Sequence, residues 1–314
     1  MTTSDDVFDS ELGLGKVSPE VMRRSVFSFL PLREEPGLDA GVIELTGRTA
    51  VAHSPSIGVP IDSLGFFAFH YAASNVAARF ARPRHLVVGI YLPLRSRERE
   101  LRRVVAGLGG EAERYGVTVA AGQTATYQGL EIPLVTATCL GEQLREAGEP
   151  SPGDTVMLSG ALGGEALWLK GLSEGRPGET WRDFTPLPAA LLLQGQDGVR
   201  LMHDVSEGGL KKALHEVASE TGAGMAIDSG RIRYAEGACD LGVDVLRAPT
   251  YGCLIAIVDS SSVERVEGVL RERGIPCTAV GEITGGEDLY VDGSLIEELG
   301  RVSLDEIYGT FRER

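Results

Sequence analysis

Lysine is almost missing from this chain. Of its 30 basic residues only Lys16, Lys170, Lys211 and Lys212 are lysines, and together they face 45 carboxylates. The net charge of −15 and a pI near 4.9 exclude non-specific binding to nucleic acid or to an anionic membrane, because both would be repelled. Cysteine is scarce as well. Cys139, Cys239, Cys253 and Cys277 lie far apart, mostly in apolar runs, which excludes a disulfide frame or a zinc site and describes buried small hydrophobes in a reducing compartment. No apolar run reaches bilayer-spanning length, and the acidic start MTTSDDVFDSELG is unlike a signal peptide. The expectation is a soluble cytoplasmic protein, and 314 residues suffice for two domains with a core each.

The patterning predicts α+β layers. A helix is expected over 19–30, with Ser18 as its cap and Pro19 at its first position. AGVIEL and TAVAHS read as short strands, 61–80 as a small-residue and apolar helix, HLVVGIYLP as a buried strand, and 96–115 as an amphipathic helix. VTVAAG and IPLVTATCLG complete a first domain. The polar stretch EAGEPSPGD sets a boundary near residue 150, dividing the chain into 1–150 and 151–314. The second domain then offers strand TVMLSG, a glycine turn and helix, a helix over 188–193, strands GMAID and GCLIAIV, a helix over 263–273 and strand TAVGEIT.

The most informative segment is His203-Asp204-Val205-Ser206-Glu207-Gly208-Gly209-Leu210. It reads as a strand end, a sharp turn and a helix start, with Ser206 as N-cap and Leu210, Ala213, Leu214, Val217 and Ala218 at helical spacing. Two glycines at a helix N-terminus offer backbone N–H groups to an anion, and Asp204 and Glu207 can orient a cation or a proton. A turn that merely packs a helix on a sheet explains the same residues equally well. No G-x-x-x-x-G-K-[ST] loop exists, so a P-loop nucleotide site is excluded.

HDVSEGGL followed by ALHEVASETGAGMAID resembles the second-domain motif of the aminoimidazole-ribonucleotide (AIR) synthetase superfamily. That group includes thiamine-monophosphate kinase, selenophosphate synthetase and the dehydratase of hydrogenase maturation. LGLGKVSPEVMRRSVF, GLDAGVIEL, IDSLGFFAFHYAASNVAARFARPRHLVVGIYLP, YGVTVAAGQTATYQGLEIPLVTATCLG and SPGDTVMLSGALGGEAL extend the likeness along nearly the whole chain, closest to the archaeal-type relatives of the maturation dehydratase. The resemblance implies a two-domain AIR-synthase-like fold. Its N-terminal sheet would pair with a twin in a homodimer to close a barrel-like interface, and its C-terminal mixed sheet would carry helices on one face. It also implies ATP with Mg²⁺ held by carboxylates of the first domain, and a small-molecule ligand at the second.

Departures from the pattern matter as much as the match. Asp39 stands at the family's first aspartate, as metal ligand and catalytic residue, with Asp204 as its catalytic partner in the second domain. Where the family has further acidic motifs, this chain has Ser54-Pro55, Ser74-Asn75 and Ala121-Gly122-Gln123-Thr124-Ala125. Lys16, Ser54, Asn75, Gly122 and Gln123 are thus the expected nucleotide contacts, and Ser206, Glu207, Gly208 and Gly209 the expected substrate contacts. Neutral oxygens can still face a cation but do not neutralise it. If each lost carboxylate weakens metal–nucleotide binding tenfold, the loss is about 1.4 kcal/mol per position, roughly 4 in total.

Gly160, Gly163 and Gly164 form a second turn able to cradle a phosphate. Asp62 reads as the N-terminal charge of a helix, His53 and His70 as structural histidines, and Asp228 and Asp244 as turn caps. The family's dehydratase carries its group on a C-terminal cysteine, and no cysteine follows Cys277, so that activity is not expected here; nor is selenophosphate formation, for want of an early reactive cysteine. Two functions remain: an ATP-dependent enzyme phosphorylating an oxygen of a small substrate, or a catalytically degenerate member acting as a ligand-binding or scaffold protein.

Overall fold

The computed structural model describes residues 6–32, 41–176, 178–297, 302, 306 and 307. The chain divides into two compact units: residues 1–77 with 81–144, and residues 78–80 with 145–314. Each holds one sheet, and the architecture is mixed α+β.

In the first unit a two-residue strand β1 (Gly15–Lys16) precedes a short helix α1 (Pro19–Val21). Ser18 caps α1 by accepting the Val21 N–H at 3.3 Å, as expected, but the helix does not continue regularly to residue 30. Its turns widen over Met22–Val26 and tighten over Phe27–Phe29. Then follow β2 (Thr49–Ile57), α2 (Ile61–Ala78), β3 (Ala81–Pro93), α3 (Glu98–Arg114), β4 (Thr118–Tyr127) and β5 (Leu134–Gln143). The sheet order is β1-β4-β3-β5-β2, with the two-residue β1, absent from the expected strands, at one edge. Residues 41–46 form no strand; the nearby edge of β4 is already used by Leu32, which bridges Val119.

Helix α2 is apolar nearly all round, burying Leu64, Phe66, Phe67, Phe69, Ala72, Ala73 and Val76, which suits a helix covered on most sides. Helix α3 is instead amphipathic: Leu101, Val104, Val105, Leu108 and Ala112 are buried, and arginines face outward. The crossover β3–α3–β4 joins parallel strands, which is what a helical connection of this length permits. The two helices meet at Gly65, where a Cβ would lie 2.0 Å from the Val104 carbonyl oxygen; only glycine allows that approach.

The second unit contains β6 (Thr155–Ser159), α4 (Gly164–Ser173), α5 (Leu187–Leu193), β7 (Val199–Val205), α6 (Gly209–Thr221), β8 (Met225–Ile227), β9 (Cys253–Val258), α7 (Val263–Arg271), β10 (Cys277–Ile283), β11 (Leu289–Val291) and β12 (Ser294–Leu295). The order is β12-β11-β8-β10-β6-β9-β7. All pairs are antiparallel except β11 with β8. The core joins Val156, Leu158, Val205, Ile255 and Ile257 of the central strands to Leu210, Leu214 and Val217 of α6. Every residue of β9 is buried, so both faces of the sheet are covered at its centre. The short strands β11 and β12 were not anticipated. Of the cysteines, Cys139 and Cys253 are buried as expected, Cys277 is half-buried, and Cys239 is exposed.

Candidate functional site

The first unit carries a cavity of about 360 Å³ on the helix-bearing side of its sheet. Val88, Ile90 and Val119 form its floor, and Met22, Val26, Phe27 and Leu30 of the N-terminal segment form its roof. Lys16, Arg23, Gly122, Gln123 and Thr124 add the polar groups. Three of the expected nucleotide contacts, Lys16, Gly122 and Gln123, therefore converge on one cavity. The hydrogen-bonded pairing of Lys16 with Ala125 brings β1 there. Gly122 serves packing as well, since a Cβ would approach the Val88 carbonyl oxygen to 2.5 Å.

Ser54 and Asn75 do not join them. Ser54, Ala137, Val88 and Gly122 lie in one row across four strands, which puts Ser54 three strand spacings, about 14 Å, from Gly122. Asn75 sits half-buried on α2 and does not line the cavity. Ser56, on the same face of β2 as Ser54, is buried, and its hydroxyl has no hydrogen-bond partner among the described residues. Asp39 lies outside the described residues.

The cavity's roof is latched from beside. Glu98, whose side chain is fully buried, accepts both Arg24 Nε and Arg24 Nη2 at 2.6 Å and the Ser25 hydroxyl. Burial alone would push the Glu98 carboxyl up; the Arg24 fork and Ser25 outweigh it and hold the group below the usual carboxylate range. Arg102 stacks its guanidinium 3.8 Å over the Phe8 ring and 4.8 Å from the Phe29 ring, adding a cation–π contact to the same attachment.

The second unit brings its two glycine turns together through Thr250, which is buried. Its N–H donates to the Ser206 carbonyl at 3.3 Å, and its hydroxyl accepts the Gly163 N–H at 3.1 Å while donating to the Ala248 carbonyl. Ser206 and Glu207 are exposed at the tip of their turn, while Gly208 and Gly209 are buried. Ser206 is not the N-cap of α6. Gly208 and Gly209 both take left-handed backbone (φ 88° and 66°), so the helix starts two residues later, and Ser206 contributes its carbonyl, which accepts the Gly209 N–H at 3.1 Å. Gly209 is obligatory on packing grounds too: a Cβ would lie 2.6 Å from the Leu246 carbonyl oxygen and 2.7 Å from that of Ala248.

Asp204 is the half-buried acid behind this turn. Burial pushes its carboxyl up, and His203, with Nδ1 at 3.7 Å, opposes that. His203 Nδ1 donates to the Asp204 carbonyl at 2.6 Å, and its Nε2 lies 3.5 Å from Glu216. Facing the other turn, Glu165 is buried at the first turn of α4. Its Oε2 accepts the Tyr251 N–H at 2.6 Å, yet burial raises its pKa to about 7, with Glu207 adding to the rise. A buried carboxyl poised near neutrality can carry a proton to or from a ligand between the turns. Glu165 and Thr250 were missed from sequence. Glu165 follows Gly160-x-x-Gly163-Gly164 directly, a spacing that marks it; Thr250 carries no local signal.

The residues expected to be structural each have a local partner. Asp62 lies in the first turn of α2 and pairs with Arg103 at 3.7 Å. His53 bonds Thr138 across the strand pair at 2.8 Å. His70 is buried, its Nε2 donating to Glu111 at 3.0 Å, and burial holds its pKa below the usual value. Asp228 accepts the Gly230 N–H at 2.9 Å. Asp244 accepts that of Leu246 at 3.1 Å and the Lys211 ammonium at 2.8 Å.

Comparison with known proteins matches this arrangement. Residues 37–143 match the N-terminal domain of AIR synthase related proteins and residues 151–294 their C-terminal domain; the chain belongs to that family. It is 28% identical over 266 residues to the carbamoyl dehydratase HypE of Azotobacter vinelandii, covering 78% of each chain. It is 28% identical over 243 residues to the thiamine-monophosphate kinase of Methanospirillum hungatei, covering 76% of this chain and 79% of that one. A crystal structure of the hydrogenase maturation protein HypE in complex with ATP superposes with a TM-score of 0.75 at 23% identity, covering 96% of this chain and 97% of the other. That likeness establishes the fold.

Proposed function

We propose that this chain is an ATP-binding member of the AIR synthase related family whose phosphoryl-transfer chemistry is degenerate, so that it acts by holding nucleotide and a small ligand. The convergence of Lys16, Gly122 and Gln123 on one cavity carries the nucleotide assignment. Its apolar wall suits a base, and Lys16 and Arg23 offer cations to phosphate oxygens. A family structure that binds ATP supports the same ligand.

Magnesium fits less well. Among the described residues no carboxylate lines the cavity, and no group of three or more histidine, cysteine or acidic side chains is placed to hold a metal ion. Magnesium seeks hard, charged oxygen donors, and Ser54, Asn75 and Gln123 supply none. No chemical step is therefore assigned to a metal, and the phosphate charge falls to Lys16 and Arg23.

One observation favours the alternative, an ATP-dependent enzyme phosphorylating an oxygen of a small substrate. Glu207, on the same turn as Ser206, lies close enough to add to the rise of the near-neutral Glu165, and Asp204 stands just before that turn with its own carboxyl pushed up by burial, an arrangement suited to proton handling. Isothermal titration with ATP, with and without magnesium, followed by an ADP-release assay, separates the two. Binding that is indifferent to magnesium and yields no turnover supports the first; magnesium-dependent binding with ADP release replaces it by the second.

The proposal includes a homodimer formed through the outer face of the first sheet. Val51 pairs with Leu140 and Ile57 with Leu134 on that face, Tyr91 and Tyr127 rings lie 6.0 Å apart, and Val51 is 61% exposed. A sheet face this apolar calls for a cover. Sedimentation of the parent and of Val51→Asp tests it: a parent that sediments as a monomer removes the dimer.

A further inference from the structure

The second unit holds a cavity of about 370 Å³ that belongs to neither site above. Arg233, Glu267, Arg271, Gly274–Thr278 form its walls, at the junction of α7 and β10. It sits directly behind the Gly160–Gly164 turn. The Pro276 carbonyl accepts the Gly160 N–H at 2.9 Å, and the Arg233 carbonyl accepts the Leu162 N–H at 2.9 Å.

Three hydrogen-bond donors in this cavity, the Arg233 and Arg271 guanidiniums and the Thr278 hydroxyl, make no hydrogen bond or ion pair with any described residue. Glu267 and Arg271 stand at i and i+4 on α7, a spacing that ordinarily closes a salt bridge, yet none forms. Both guanidiniums are exposed to solvent at one cavity, and neither has a carboxylate partner among the described residues, in a chain of net charge −15. The last carbonyls of α7 are partly screened, Leu270 accepting the Ile275 N–H and Arg271 that of Gly274, both at 3.0 Å, a closure that left-handed Gly274 (φ 70°) permits; the residual negative pole of the helix is smaller than the charge of the two guanidiniums. Cys277 is also no competitor: burial pushes its thiol up to about 12, so it stays neutral.

We infer that this cavity is a second ligand site, which takes the phosphate group of a small phosphorylated molecule between Arg233 and Arg271. The planar guanidiniums present paired donors to the phosphate oxygens, and Thr278 adds a third donor. Glu267 faces the same space and accepts a hydroxyl or amino group of the ligand, which sets specificity beyond charge. The size suits a small metabolite. Because Pro276 and Arg233 hold the amides of Gly160 and Leu162, occupancy bears on the turn that carries Glu165, giving the cavity the position of an effector site.

Arg233 and Arg271 are exposed and report on the site themselves. The full-length protein is treated with phenylglyoxal in the presence of increasing inorganic phosphate, with chloride matching the ionic strength, and each arginine peptide is followed by mass spectrometry, with exposed Arg82 as the internal control. Phosphate should slow modification of Arg233 and Arg271 several-fold and leave Arg82 unchanged. Arg233→Gln should raise the half-protecting concentration at Arg271 by roughly tenfold or more, and Arg271→Gln that at Arg233, whereas Lys16→Met, in the other unit, should leave protection intact. That last arm separates this site from the proposed nucleotide cavity. Unchanged modification of both arginines in saturating phosphate, or protection of one that survives loss of the other with Arg82 kinetics and circular dichroism unaltered, overturns the inference. Stronger protection by succinate than by phosphate overturns the phosphate assignment.

Discussion

The carboxylate of Glu165 accepts the backbone N–H of Tyr251 at 2.6 Å while buried at the head of α4, beside the turn that Thr250 fastens to Ser206. Burial outweighs that hydrogen bond, and the pKa rises from 4.5 to about 7. The folded chain thus keeps a proton, between those two values, that the unfolded chain has released. The contribution to stability is complete below about pH 4.5 and lost as pH rises through about 7, a change on the order of 3 kcal/mol. Glu165→Gln keeps an acceptor for Tyr251 and removes the titration. Urea midpoints at about pH 5 and about pH 8 should differ less in the variant than in the parent, and identical pH slopes would show that Glu165 does not titrate in this range.

Gly209→Ala should be among the most damaging single changes in the second unit. The new methyl would meet the Leu246 and Ala248 carbonyls, and the residue would sit at φ 66°, so overpacking and backbone strain add to more than about 2 kcal/mol. Gly237→Ala is the control. It shares a left-handed φ of 81°, but nothing stands within 4 Å of its Cβ, so it should cost only about 1–2 kcal/mol. Thermal melts of the two variants compare the terms directly, and equal losses would mean that the close approach at Gly209 is relaxed in solution.

The strand–turn–helix at His203–Leu210 was legible in the sequence because its signals are local: two adjacent glycines and an apolar stripe that begins at Leu210. The same glycines hid the true start of α6. Ser206 looks like a cap, but two left-handed residues intervene and turn its hydroxyl's role over to its carbonyl. AGVIEL has the apolar content of a strand, yet residues 41–46 remain unpaired as a ladder since a strand also needs a free edge, which no local pattern reports. The gathering of Lys16 with Gln123 was available only through resemblance: more than a hundred residues separate them, and the pairing of β1 with β4 joins them. Thr250 was invisible for the related reason that its role exists only where two distant turns meet.

Lys16 and Gln123 test the nucleotide site from opposite sides. Lys16→Met should weaken ATP binding by roughly tenfold, the loss of one charge-assisted contact. Gln123→Asp should weaken magnesium-free ATP by adding like charge to the cavity, and should recover affinity when magnesium is supplied if the acid can take a metal. Calorimetry of both variants, each with and without magnesium, reads this out. Affinity that Lys16→Met leaves untouched would place ATP elsewhere.

Glu98 explains why the roof of that cavity holds. Three donors from Arg24 and Ser25 converge on one buried carboxylate, and removing the arginine strands the charge that remains. Arg24→Met should therefore destabilise the protein by roughly 3 kcal/mol, the scale of a broken buried pair. The paired change Arg24→Met with Glu98→Leu should recover part of the loss, because an apolar pair needs no solvation. Amide hydrogen exchange localises the effect. In Arg24→Met the amides of residues 17–30, which roof the cavity, should exchange faster while those of β6 and β9 in the second unit stay protected. Uniform acceleration throughout both units would instead make the Arg24–Glu98 pair a general support of the fold and not the latch of this segment.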